Sequence, residues 1–164
     1  PELHAMNKPG FLLVCLLAAT AARAEERDFK FLAFGPGGLF NQDASGVAYH
    51  LAAGYFHEAM PKAGIRVQGH GDFTADALNS GASLGAMGFF AEGEFAPYAG
   101  ADLGWGVAYG NGWSNGFLLG GSAGVQMFRS SKVQLNVEGR STVLFDSNDG
   151  GFPITLSGSL GISF

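Results

Sequence analysis

From Ile154 to Phe164 the chain alternates without a break. Ile154, Leu156, Gly158, Leu160, Ile162 and Phe164 fall on one face of an extended strand, and Thr155, Ser157, Ser159, Gly161 and Ser163 on the other. Successive side chains of a strand point to opposite faces, so a period of two marks one apolar and one polar face. The same alternation recurs over segments 27–35, 46–57, 64–76, 81–92, 97–109, 116–128, 132–145 and 153–164, separated by turn-rich points. Strands of soluble domains run to about 5–6 residues, whereas a tilted strand that crosses a bilayer needs about 9–11. All these segments but the first exceed the longer requirement.

The two faces decide what the strands are for. In segment 64–76, Ile65, Val67, Gly69, Gly71 and Phe73 oppose Arg66, Gln68, His70, Asp72, Thr74 and Asp76. In segment 132–145, Val133, Leu135, Val137, Gly139, Val143 and Phe145 oppose Lys132, Gln134, Asn136, Glu138, Arg140 and Thr142. The polar faces are rich in glycine and hydroxyls and poor in lysine, and charged residues make up 14% of the chain, against about 25% in an ordinary soluble protein. Such faces make a poor water-exposed surface. With apolar residues toward lipid and polar ones toward a closed interior, every backbone group is paired and no edge remains. The pattern predicts an all-β, eight-stranded, antiparallel, up-and-down transmembrane β-barrel with both termini at one end. Alternate connections (58–63, 93–96, 129–131) are expected as short periplasmic turns, and 36–45, 77–80, 110–115 and 146–152 as outer loops. Phe29, Phe31, Tyr49, Tyr55, Phe90, Tyr109, Phe145 and Phe164 are candidates for the aromatic belts at the two membrane interfaces.

The amino terminus fits that destination. "MNKPGFLLVCLLAATAARAEE" has Lys8 as a positive flank, an apolar run from Phe11 to Ala19 and a small-x-small site at Ala22-Arg23-Ala24, the signature of a cleaved secretory signal peptide. Residues 1–24 are therefore expected to be upstream residues plus leader, and 25–164 the barrel domain. The single cysteine, Cys15, lies in that leader, which leaves neither disulfide nor thiolate site in the barrel. Val14 is bulky where a lipoprotein box wants a small residue. A net charge of −5 with 9 Lys plus Arg offers no basic patch, and nucleic acid is not expected as a partner.

At "PYAGADLGWG" (97–106), "VQLNVEGR" (133–140) and "LSGSLGISF" (156–164), the chain resembles the small eight-stranded outer-membrane barrels of the OmpA and OmpX type. The resemblance implies a bacterial outer-membrane protein, a monomer in contact with outer-membrane lipid and lipopolysaccharide. It also implies that the terminal strand, through Gly158, Leu160, Ile162 and Phe164, carries the signal read by the assembly machinery. The family holds adhesins, small-pore formers and lipid A enzymes, so resemblance alone leaves the activity open.

Candidate chemistry lies mostly inside. Arg66, His70, Asp72, Asp102, Glu138 and Arg140 fall on inward rows, and a lumen this narrow is filled by side chains. Segments three and seven should lie opposite each other, with His70 level with Glu138 and Asp72 level with Arg140. The expectation is a polar network in which Arg140 pairs with Asp72, Glu138 or both, with room left by the glycines of segments five and six. Such a network is a structural plug, because charges buried in a dry lumen must be paired; the rival reading is a gate that opens by exchanging partners. His50 is a further lumen group, while His57 beside Glu58 reads as solvated. The histidines show no ligand spacing, so neither a metal nor a cofactor is expected. No His-x-Ser lies on one strand face, and "HGD" at 70–72 lacks a nucleophile beyond Thr74, so no catalytic residue is assigned. Leu39, Phe40 and Trp113 are the outer-loop candidates for contact with a partner. A structural or surface-interaction role leads; a small pore or hydrophobic-ligand conduit, and a lipid A-modifying enzyme, are the alternatives.

Overall fold

The computed structural model describes residues 27–40, 45–110, 112–146 and 152–164. The expected leader lies outside them. Eight strands follow one another: β1 (Arg27–Phe40), β2 (Ser45–Met60), β3 (Ala63–Phe73), β4 (Leu78–Phe89), β5 (Phe95–Tyr109), β6 (Trp113–Met127), β7 (Gln134–Asp146) and β8 (Ile154–Ser163). Each pairs antiparallel with its neighbours in sequence, and β8 returns to β1 to close a barrel. That seam runs from Phe31 opposite Ser163 to Phe40 opposite Ile154. Beyond it, Lys30 and Phe164 exchange both backbone hydrogen bonds at 2.9 Å.

Alternation sorts the side chains as a lipid-facing barrel requires. Leu51, Val67, Leu103, Trp105, Leu119, Val137 and Leu160 are exposed on the outside, while Arg66, Gln68, His70, Asp72, Asp102, Glu138 and Arg140 point inward. Strands of a closed barrel are tilted and staggered. Following register partners from Phe31 through Gly54, Gln68, Ser83, Gly104, Leu118 and Leu144 climbs the barrel wall toward the opposite end.

Three expectations are corrected. First, β1 continues to Phe40 rather than stopping at residue 35, so Leu39 is no loop residue: it is 2% exposed and packs inside against Ala48 and Ala77. Phe40 stays exposed, on the outward face of the strand. Second, Phe29 and Phe31 turn inward to the cluster formed with Phe56, Met87, Phe89, Ala96 and Tyr98. In "DFKFLAF" both faces carry apolar residues, and Leu32 and Phe34 take the lipid side, leaving Asp28 and Lys30 outward at the rim. Third, the expected difference in connection lengths is absent. The end that holds the termini has connections 61–62, 90–94 and 128–133, and the far end has 41–44, 74–77, 110–112 and 147–153.

Candidate functional site

The lumen is packed in layers from the terminal end to the far end. The first is built around Arg129, in the connection after β6, where Phe128 adopts a left-handed backbone with φ of 58°, a conformation uncommon outside glycine. The turn drives Arg129 into the barrel mouth. Its Nη2 donates to Glu58 Oε1 at 2.7 Å and to the Pro61 carbonyl at 2.5 Å, and Nη1 donates to the Ala91 carbonyl at 3.0 Å. The guanidinium lies 4.0 Å from the centre of the Phe89 ring, a cation–π contact. The Arg129 carbonyl in turn accepts from Arg27 Nη1 and from Gln134 Nε2, each at 2.8 Å. One side chain thus ties two turns to the end of β2. Sequence reasoning missed it, since a turn arginine carries no periodic signal, and it named Glu58 only as the neighbour of His57, where the structure buries it.

Above the aromatic cluster sits the ion network. Arg66 Nη1 donates to Glu138 Oε2 at 2.5 Å, Arg66 Nη2 to Ser122 Oγ at 2.9 Å, and the Tyr98 hydroxyl to the same Glu138 oxygen at 2.8 Å. Arg140 Nη2 donates to Asp102 Oδ1 at 2.5 Å, and Asp102 Oδ2 lies 3.7 Å from Arg66. With its amide assigned so that the oxygen meets donors, Gln68 accepts from both terminal nitrogens of Arg140 at 2.5 Å. Four strands therefore contribute to one charged layer. Glycine makes the room: a Cβ on Gly120 would collide with the Asp102 carboxylate and stand 2.9 Å from Arg140 Nη2, and one on Gly85 would meet Asp102 Cβ at 2.5 Å.

The pairing meets the sequence expectation at Glu138 and departs from it at Asp72. Arg140 takes Asp102 as its close partner and approaches Glu138 at 4.0 Å, whereas Asp72 accepts from His50 Nδ1 at 2.8 Å. Counting positions along each strand ignores the stagger, which lifts Asp72 away from Arg140 and sets Arg66 opposite Glu138. His70 has its ring stacked 6.3 Å from that of His50. The far end is then closed by Ala108, Leu118 and Leu144, and by Leu39, Ala48 and Ala77. A cavity of about 40 Å³ remains below His50 between Phe31, Arg66, Tyr98, Asn136 and Ser159, room for a few waters. Among the described residues no group of His, Cys, Asp and Glu is arranged to hold a metal ion.

Outside, the far rim carries aromatics. Trp113 starts β6 fully in view of the exterior with its ring 5.0 Å from Tyr109, and Phe145 contacts Phe117 at 6.3 Å and Phe152 at 5.5 Å. At the terminal end, His57 Nδ1 bonds Asp28 Oδ1 at 2.8 Å on the outer surface. Gly158, Leu160, Ile162 and Phe164 all face outward on the last strand.

A closed eight-stranded antiparallel sheet with an apolar exterior and a charged, filled lumen is the architecture of the small outer-membrane β-barrels. Among solved structures it is similar to Neisserial surface protein A, with a TM-score of 0.74 and 15% identity over 85% of this chain and 98% of that one. It is also similar to Ail, the attachment invasion locus protein of Yersinia pestis (TM-score 0.55, 15% identity, 85% and 98% covered), and to OprG from Pseudomonas aeruginosa (0.53, 13%, 84% and 95%). At these identities the likeness is one of fold. No family model and no curated protein matches the chain.

Proposed function

We propose that the protein is an integral barrel of the bacterial outer membrane with a structural or surface-interaction role and no catalysis, acting as a monomer through its exterior rather than its lumen. The observation that carries this reading is the stack of closures inside: the Arg129 layer, the aromatic cluster, the ion network and the two apolar caps fill the lumen down to a chamber of about 40 Å³. What remains to interact is the outer face and the far rim, where Phe40 and Trp113 are the exposed candidates and Leu39 is not. The far connections hold Asp43, Asp76 and Asp149 and neither lysine nor arginine. Ail has been crystallised with the heparin analogue sucrose octasulfate; the rim of this chain opposes a polyanion and suits a neutral or cationic partner. Contact with lipopolysaccharide then rests on apolar and hydroxyl groups more than on ion pairs. The outward face of β8, ending in Phe164, is the part offered to the assembly machinery.

Conductance across a planar lipid bilayer tests the reading. The purified barrel should give no stable unit conductance. Persistent steps that change with Arg140 or Arg129 substitution would replace it with the rival reading of a narrow conduit, which the small chamber beside the ion network favours.

A further inference from the structure

Between the ion network and the apolar caps lies a layer of side chains that closure of the barrel does not explain. Asp72 on β3 is the register partner of His50 on β2 and of Asn79 on β4, so the three stand side by side and point inward. His70 is the preceding inward residue of β3. Asn79 is 0% exposed, Asp72 1% and His70 5%. His50 occupies Asp72 Oδ1, but Asp72 Oδ2, both amide atoms of Asn79 and both ring nitrogens of His70 have no protein partner. Protein interiors seldom leave so many polar atoms unpaired in one place, and where they do, a water or an ion is the usual reason.

Charge narrows the choice. In the middle of the lumen two guanidiniums, Arg66 and Arg140, face three carboxylates, Asp72, Asp102 and Glu138. The guanidiniums are taken up by Asp102 and Glu138, which leaves Asp72 with the His50 imidazole as its close partner and, with both imidazoles neutral, the lumen one positive charge short. A buried carboxylate in that position is costly unless a cation joins it. The unpartnered acceptors on this register pair, Asp72 Oδ2 and Asn79 Oδ1, are hard oxygens of the kind that hold alkali and alkaline-earth ions rather than transition metals.

We propose that Asp72 and Asn79, with His70 beside them, form a site for one alkali-metal cation, sodium or potassium, together with its water. The oxygens coordinate the ion. The Asn79 amide nitrogen and the His70 ring, which need both an acceptor and a donor, bond the attached water. Leu118, Leu144 and the cap around Leu39 seal the layer from the far mouth, so the ion is captured as the barrel closes and adds to its stability by mass action.

The test is a melt of the protein refolded from urea into a zwitterionic detergent, so that the barrel closes in the presence of the chosen salt. It is run in sodium or potassium chloride and in N-methyl-D-glucamine chloride of equal ionic strength and pH, with the loss of the compact gel band on heating as readout. The midpoint should be higher in the alkali salts and rise with their concentration, and Asn79→Leu and Asp72→Asn should each abolish the difference. Equal midpoints in the two kinds of salt would overturn the proposal and assign the missing charge to a proton on one of the histidines. An alkali shift that survives both substitutions would overturn it too, by placing the ion elsewhere. If neither variant assembles, the comparison on the unaltered protein decides alone.

Discussion

Asp102→Ala is the sharpest probe of what holds the lumen together. Asp102 is buried, accepts from Arg140 at 2.5 Å and lies 3.7 Å from Arg66. Its removal leaves two guanidiniums sharing Glu138, which is already committed to Arg66 at 2.5 Å and reaches Arg140 only at 4.0 Å. Breaking a buried pair from one side costs about 3–5 kcal/mol, because the surviving charge stays out of water without compensation. Against a total stability of about 5–15 kcal/mol, that is a large share. Taking Arg140 away as well removes the orphan. The double variant Asp102→Ala/Arg140→Met keeps the Arg66–Glu138 pair intact and should recover at least about 2 kcal/mol relative to the single one. Urea unfolding from phospholipid vesicles measures both, with fluorescence of Trp105 and Trp113, which face outward, as readout. A single variant within about 1 kcal/mol of the parent, or a double variant no more stable than the single, would refute the reasoning.

Other expectations follow from particular contacts. Gly120→Ala should cost about 2 kcal/mol or more, since its methyl group meets the Asp102 carboxylate, whereas Gly121→Ala, with nothing within 4 Å of the new Cβ, should shift the urea midpoint negligibly. Arg129→Ala strips Glu58 of its partner and should destabilise by about 3–5 kcal/mol, with hydrogen exchange rising at residues 58–62 and 89–94 but not at the far end. Deleting Phe164 removes a strand end bonded to Lys30. It should lower the amount of barrel assembled in cells while refolding from urea proceeds, and equal assembly would count against the terminal strand as a signal. On heparin resin at physiological salt the protein should pass unretained, as no cation lies in the far connections; retention would contradict the reading of an anionic rim.

Strand number and the inward rows of β3, β5 and β7 were legible in the sequence because lipid outside and charge inside enforce a period of two over long stretches. Heights across the lumen were not. They depend on the stagger accumulated round the whole barrel, a property of eight pairings and of no single segment, and this is why Asp72 was set level with Arg140 as one of its two candidate partners and in fact meets His50. The end of β1 was hidden for a local reason. "PGGLF" carries the residues that punctuate turns, yet Pro36 is tolerated in the strand, where the β1–β8 pairing skips Gly35 and Pro36 between Phe34 and Gly37, consistent with its missing N–H. Arg129 was invisible because its role comes from the left-handed turn at Phe128, which no pattern of hydrophobicity records.

The seam between β1 and β8 sets the order in which the protein can come into being. Phe31 finds its last partner in Ser163, almost the whole chain away, so the first strand emerges with one edge that nothing can satisfy until the final strand arrives. Contacts that span so much chain form late and slowly, and a bare edge in the meantime is open to any other strand it meets. A half-made molecule therefore carries an unsatisfied edge for as long as either end is missing.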